Sequence, residues 1–186
     1  MYATADFKKG LKLELDGVPY VIVDFQHVKP GKGGAFVRTK LKNLITGRVL
    51  DQTFRSGERV KRPDLMEREM QCLYREGDRF CMMDNETYEQ IWLTDEQVGE
   101  ARLFLTENLN LKVLFFNQQP VAVEMPIFVE LEVAQTEPGV KGDTAAGGTK
   151  PATLESGATL QVPLFINAGD RVRVDTRTGS YIERVK

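Results

Sequence analysis

The stretch that decides the fold is Tyr20-Val21-Ile22-Val23-Asp24-Phe25-Gln26-His27-Val28, then Lys29-Pro30-Gly31-Lys32-Gly33-Gly34, then Ala35-Phe36-Val37-Arg38-Thr39-Lys40-Leu41-Lys42-Asn43-Leu44. Its flanks are rich in β-branched and aromatic residues and its centre holds three glycines and a proline, so it reads as two strands folded back on each other. In the second strand Ala35, Val37, Thr39 and Leu41 share one face, and Phe36, Arg38, Lys40 and Lys42 share the other. The first face suits a core. The second is basic with one aromatic and suits an RNA backbone. A plain hairpin closes with two residues such as Asn-Gly. A six-residue connection with Lys32 at its tip, built on glycines that cost folding entropy, therefore points to a functional finger. The competing reading is a solvated charged face beside a flexible turn. A phosphate-binding loop fits poorly, because Gly31-Lys32 is not followed by Ser or Thr and no helical pattern begins there.

Working outward, short alternating strands separated by Gly, Pro, Asn and Asp turns predict an all-β chain of small barrels. Strands at 11–15, 20–28, 35–44 and 48–54 form an SH3-like or KOW-like barrel over residues 1–63. The charged, proline-containing segment 57–64 is a linker. Residues 64–128 carry strands at 66–74, 79–83, 88–93, 109–116 and 121–124. One helix is expected from Thr94 through Phe104, with Gln97 completing a capping box. Strands interrupted by a single helix fit an OB-fold. Residues 129–186, with strands at 129–135, 159–166, 171–176 and 181–185, make a third barrel of the same kind. No sequence repeat between the second and third modules is evident.

The 186 residues carry a net charge of −2 that is unevenly spread. Residues 1–63 hold 13 Lys and Arg against 6 Asp and Glu, residues 64–128 hold 5 against 13, and residues 129–186 hold 7 against 8. A basic first third suggests nucleic-acid contact concentrated in one module, against a reading of ordinary surface variation. No apolar run reaches the length of a transmembrane helix and the first residues lack a signal-peptide pattern, so a cytoplasmic protein with no membrane partner is expected. Cys72 and Cys81 with a single histidine, His27, are too few soft ligands for a structural zinc site, and both thiols are expected to be reduced and buried. No metal or other cofactor is expected. Catalysis has little support, because His27 lies in an alternating strand and no serine or cysteine motif pairs with it.

A second unusual connection spans residues 137–151, Glu-Pro-Gly-Val-Lys-Gly-Asp-Thr-Ala-Ala-Gly-Gly-Thr-Lys-Pro. Structureless connections of this length are either functional or disordered. Asp143 and Thr144 can shape it by bonding backbone amides, and Lys141 and Lys150 supply charge.

The residues from Val28 to Arg38, Asn43-Leu44-Ile45-Thr46-Gly47, the run from Asp84 to Gln90, Gly142-Asp143-Thr144, the run from Gly147 to Ala152 and the tail Val174-Asp175-Thr176-Arg177-Thr178-Gly179 together resemble the elongation factor P family of bacteria, along the whole chain. The resemblance implies three β-barrel domains arranged in an L similar to tRNA. It implies a translation factor that binds the ribosome, both rRNA and ribosomal proteins, beside the P-site peptidyl-tRNA and promotes peptide-bond formation at consecutive prolines. Lys32 would reach toward the CCA end of that tRNA, supported by Lys29, Pro30, Gly31, Gly33 and Gly34, and in the family this tip residue is often extended by a modifying enzyme. Gly142, Asp143, Thr144 and Gly147 would face the small subunit and the E-site codon. The family's hypusine-bearing eukaryotic and archaeal relative lacks the third domain, so the bacterial branch fits. A monomer that is not an enzyme is expected. The alternatives are a paralogous factor of similar fold, for which arginine would be expected at the tip, and a generic RNA-binding barrel.

Overall fold

The computed structural model describes residues 1–139 and 148–186. These form sixteen strands and little helix. They divide into two compact units, Met1–Glu67 with Leu114–Ala122, and Arg68–Val113 with Val123–Lys186.

In the first unit, β1 (Tyr2–Ala3) pairs with β6 (Arg59–Val60). An antiparallel sheet runs in the order β2 (Lys12–Leu15), β3 (Val18–Val28), β4 (Phe36–Asn43) and β5 (Val49–Arg55). The alternation expected of the second hairpin strand is the one observed, with Val37, Thr39 and Leu41 buried and Arg38, Lys40 and Lys42 exposed. Val37 and Leu41 join Phe7, Leu13, Ile22, Phe54 and Val60 in one cluster, where Phe7 meets the edge of Phe54 with ring centroids 5.3 Å apart. Each large side chain buried this way contributes about 1.5–3 kcal/mol. The one polar residue of β4 in this layer, Thr39, is satisfied by donating its hydroxyl to the Gln52 carbonyl at 2.7 Å.

A second sheet has the order β11-β10-β7-β8-β9, comprising β7 (Leu65–Glu76), β8 (Arg79–Asp84), β9 (Gln90–Thr94), β10 (Asn110–Phe116) and β11 (Gln119–Glu124). The helix between β9 and β10 is shorter than the pattern suggested. The capping box forms, Thr94 Oγ1 accepting the Gln97 amide at 3.2 Å and Gln97 Oε1 accepting the Thr94 amide at 2.9 Å. The helix α1 nevertheless covers only Asp95–Val98 before a 3-10 turn over Gly99–Leu103. Gly99 takes φ +66, which leaves the helical region and ends the first turn. Both cysteines are free and buried. Burial, with Glu107 and Cys81 adding to it, pushes the Cys72 thiol up to about 11.

The third sheet is β14-β13-β12-β15-β16, comprising β12 (Phe128–Thr136), β13 (Thr149–Leu154), β14 (Thr159–Pro163), β15 (Arg171–Asp175) and β16 (Ser180–Val185). Its buried side is built from Val129, Leu131, Val133, Leu154, Val162, Ile166, Val172 and Val174. Strand β13 was not anticipated, because Thr149, Lys150 and Pro151 read as the end of a loop. Lys150, expected to supply charge to the loop, is buried and donates from Nζ to the Glu137 carbonyl.

One turn recurs in all three sheets. Asn43 Oδ1 accepts the amides of Ile45 and Thr46, and the Gly47 amide returns to the Asn43 carbonyl at 2.8 Å. Asp84 does the same for Glu86, Thr87 and Tyr88, with the last bond at 2.9 Å. Asp175 Oδ1 accepts the Arg177 amide, and Gly179 returns to its carbonyl at 2.8 Å. In each the threonine hydroxyl, Thr46, Thr87 or Thr178, accepts the amide two residues on at 3.3 Å. These are Asx turns in which a short side chain replaces a backbone acceptor, and the pattern Asx-x-x-Thr-x is their shared signature.

Candidate nucleic-acid interface

The hairpin of β3 and β4 is paired from Tyr20↔Asn43 to Val28↔Phe36, with one bulge between Ile22 and Asp24. Residues 29–35 therefore bridge the last rung, and Lys32 is the middle residue of the seven. Gly31, Lys32, Gly33 and Gly34 are all exposed. Of the three glycines only Gly33 uses its freedom, at φ +96; Gly31 and Gly34 take ordinary φ values with open space where a Cβ would stand. The base of the loop is tied to the end of β5, where the Ser56 amide donates to the Ala35 carbonyl at 3.0 Å. Beneath it the Phe25 and His27 rings meet edge to face at 5.7 Å, and the Arg38 guanidinium lies 5.4 Å from the centre of the Phe36 ring. His27 is thus an exposed ring contact in the strand that leads to the tip. Lys29 and Lys32 form no ion pair with any described residue.

The outer face of β4 is less uniformly basic than its own alternation suggests. Arg38 lies between Gln26 and Thr53, and Lys42 between Val21 and Val49, but Lys40 lies between Asp24 and Asp51. Asp51 follows from simple alternation along β5. Asp24 does not, because the bulge at Val23 reverses the phase of β3, so that Ile22 and Asp24 fall on opposite faces. Asp24 is itself 3.7 Å from Lys9. Among the described residues, only Lys9 and Lys61 of the 13 cations in residues 1–63 stand in an ion pair. The other cations stand in no ion pair with a described residue and can meet an anionic partner, Lys40 least readily because it faces two carboxylates across the sheet.

Gly142, Asp143, Thr144 and Gly147 lie outside the described residues. Their flanks are Glu137 and the Lys150 that bonds to it. Among the described residues no group of three His, Cys, Asp or Glu could hold a metal ion, and no helix is long and apolar enough to cross a membrane.

Three family patterns match the chain in order: the elongation factor P KOW-like domain over residues 3–60, the elongation factor P OB domain over residues 65–123, and the elongation factor P C-terminal domain over residues 129–184. The chain belongs to the elongation factor P family. It is 58% identical to elongation factor P of Natranaerobius thermophilus, covering 100% of this chain and 99% of that one. It is 57% identical to elongation factor P of Moorella thermoacetica over 99% of this chain and 100% of that one, and 55% identical to that of Bdellovibrio bacteriovorus over 100% and 98%. Among solved structures it is similar to the eukaryotic translation initiation factor 5A from Methanococcus jannaschii, with a TM-score of 0.53 and 27% identity over 66% of this chain and 92% of the other. An initiation factor 5A family protein from Naegleria fowleri shares the fold at a TM-score of 0.54, over 67% of this chain and 96% of its own. Those structures use nearly all their length on two thirds of this one, so about a third of this family member lies beyond the shared fold. The all-β architecture with a KOW-like barrel and OB domains is the family's, and the chain is a translation elongation factor.

Proposed function

We propose that the factor binds the ribosome beside the P-site peptidyl-tRNA and speeds peptide-bond formation at consecutive prolines by holding the CCA end in place. The observation that carries this is Lys32, the central residue of a seven-residue loop that is exposed at its tip and borne on a long paired hairpin, with Arg38 and Lys42, neither in an ion pair with a described residue, on the strand behind it. A backbone-contacting face would dock that strand against RNA phosphates, and the tip would reach past it. Proline is a conformationally restricted nucleophile and donor, so its productive alignment is rarely reached. A bound factor that orders the peptidyl-tRNA supplies that alignment in advance, which accelerates a reaction by positioning alone. The chain contributes no reacting group of its own.

In this reading the modules are residues 1–63, 64–128 and 129–186. Lys29, Pro30, Gly31, Gly33 and Gly34 shape the finger, Lys32 is also the substrate of a lysine-modifying enzyme, and Arg38, Lys40 and Lys42 face RNA. Gly142, Asp143, Thr144 and Gly147 face the small subunit and the E-site codon. The factor works as a cytoplasmic monomer. The test is a reconstituted ribosome translating two messages, one with a run of prolines and one without. Addition of the chain should accelerate only the first, and equal rates with and without it on the proline message would sink the proposal.

A further inference from the structure

The outer face of the β8–β9 hairpin exposes aromatic side chains that the barrel does not need. Tyr74 and Trp92 flank Cys81 in the ladder, Tyr74↔Cys81 on one side and Cys81↔Trp92 on the other. Their rings meet edge to face at 5.7 Å, yet they stay 41% and 38% exposed. In the turn that leads into β9, four residues before Trp92, Tyr88 is 71% exposed and takes φ +62. The matching position in the other two Asx turns is a glycine, Gly47 at φ +75 and Gly179 at φ +72. An L-residue held in the left-handed region is strained. A ring that neither packs nor relieves that strain is the kind of outlier that marks a contact surface.

The charge around these rings selects the partner. Residues 74–96 carry seven Asp and Glu against two Arg. Both arginines are already engaged, Arg75 with Asp95 at 3.1 Å and Arg79 with Glu76 at 3.2 Å. Asp84 is turned into its own loop beside Arg68 at 3.7 Å, while Asp78, Glu86, Glu89 and Glu96 stand in no ion pair with a described residue. A segment with this balance of charge repels a phosphate backbone and attracts a cation. It already holds one, because the Arg79 guanidinium sits 4.0 Å from the centre of the Trp92 ring.

We propose that this face, from the Tyr74–Trp92 pair to Tyr88, docks an extended arginine- and lysine-rich segment of another protein. Its cationic heads would meet Glu86 and Glu89 and lie against the tyrosine rings. The site is separate from the Lys32 hairpin and does not rest on the hairpin's role.

Trp92 is the single tryptophan of the chain, so its emission reports on the site in the intact protein. Octa-arginine and octauridylate would each be titrated at low ionic strength into wild type, Tyr88→Gly, Tyr88→Asn and Glu86→Gln/Glu89→Gln. We expect a saturable emission change with octa-arginine, weakened about fivefold or more by either Tyr88 variant, as loss of a cation–ring contact predicts. Tyr88→Gly should melt no lower than wild type, since glycine fits the turn. The double Gln variant should weaken the peptide and favour the RNA. Saturable binding of octauridylate in preference to the peptide would overturn the proposal in favour of an RNA face. It would also fail if peptide affinity were unchanged by both Tyr88 variants, or if the peptide caused no saturable change.

Discussion

Neutralising Arg38, Lys40 and Lys42 to Gln tests whether the outer face of β4 meets RNA. All three side chains are exposed, and surface changes of this kind usually alter stability by no more than about 0.5 kcal/mol. If each cation released one phosphate counterion, the triple variant would flatten the plot of log K against log salt by roughly 0.7–0.9 per residue. The structure predicts less than three full shares. Arg38 and Lys42 have neutral cross-strand neighbours, whereas Lys40 lies between Asp24 and Asp51, whose negative charges weaken the potential it presents to a phosphate although neither stands in an ion pair with it. Two full shares give a slope change of roughly 1.6. Over a fourfold change in salt that amounts to about a tenfold smaller loss of affinity than wild type suffers. The assay is equilibrium binding to ribosomes carrying a P-site peptidyl-tRNA at several salt concentrations, with each single variant beside the triple. Arg38→Gln and Lys42→Gln should each take a full share, and Lys40→Gln the smallest. An unchanged slope in the triple variant would show that this face does not meet RNA, and a Lys40 share larger than the other two would show that Asp24 and Asp51 do not weaken its charge.

Two further outcomes are expected from the loops and turns. Gly31→Ala and Gly34→Ala should leave the melting temperature unchanged or slightly raised, because both glycines have ordinary φ and open surroundings, while Gly33→Ala at φ +96 should lower it; thermal melting of the three variants decides this, and a loss of proline-message activity in the first two would assign those glycines to close approach by a partner. The Asp84 carboxyl is held below its ordinary range first by the Glu86 amide and then by that of Thr87, and the Asp175 carboxyl first by the Arg177 side chain. A depressed folded-state value contributes stability that is present above the ordinary aspartate range and is lost as pH falls through the folded value. Wild type should therefore lose stability below about pH 4, and Asp84→Asn/Asp175→Asn, which copies the turn that Asn43 already makes, should show a flatter acid limb in denaturant melts; equal limbs would contradict it.

Much of the architecture was legible because alternation is a local property. The register of β4, the capping box at Thr94 and the exposed finger all follow from residues adjacent in sequence. What escaped reading depends on partners distant in sequence or on single-residue irregularities. The bulge at Val23 moved Asp24 onto the outer face, and nothing in the residue types announces it. Gly99 stopped a helix that its cap and apolar spacing favoured. Strand β13 was hidden by Pro151, which a sheet interior usually rejects. It is tolerated where β13 has run past the last rung with β12, Thr136↔Ala152, so that it pairs only with Gln161 of β14. The recurring Asx turn was present in the sequence as Asn43-x-x-Thr46-Gly47, Asp84-x-x-Thr87-Tyr88 and Asp175-x-x-Thr178-Gly179. A five-residue pattern with two fixed positions is too short to stand out until three closely similar sets of hydrogen bonds show what it does.

In the role proposed above, Lys32 acts by position and not by contributing to folding or to bulk affinity. Lys32→Ala on the exposed loop should leave the melting temperature unchanged and, as one cation among the 13 of residues 1–63, should lower ribosome affinity only slightly. Synthesis of a consecutive-proline message by a reconstituted ribosome is the direct measurement. Saturating Lys32→Ala should rescue far less synthesis than saturating wild type; rescue equal to wild type would mean that the lysine is not the positioning group.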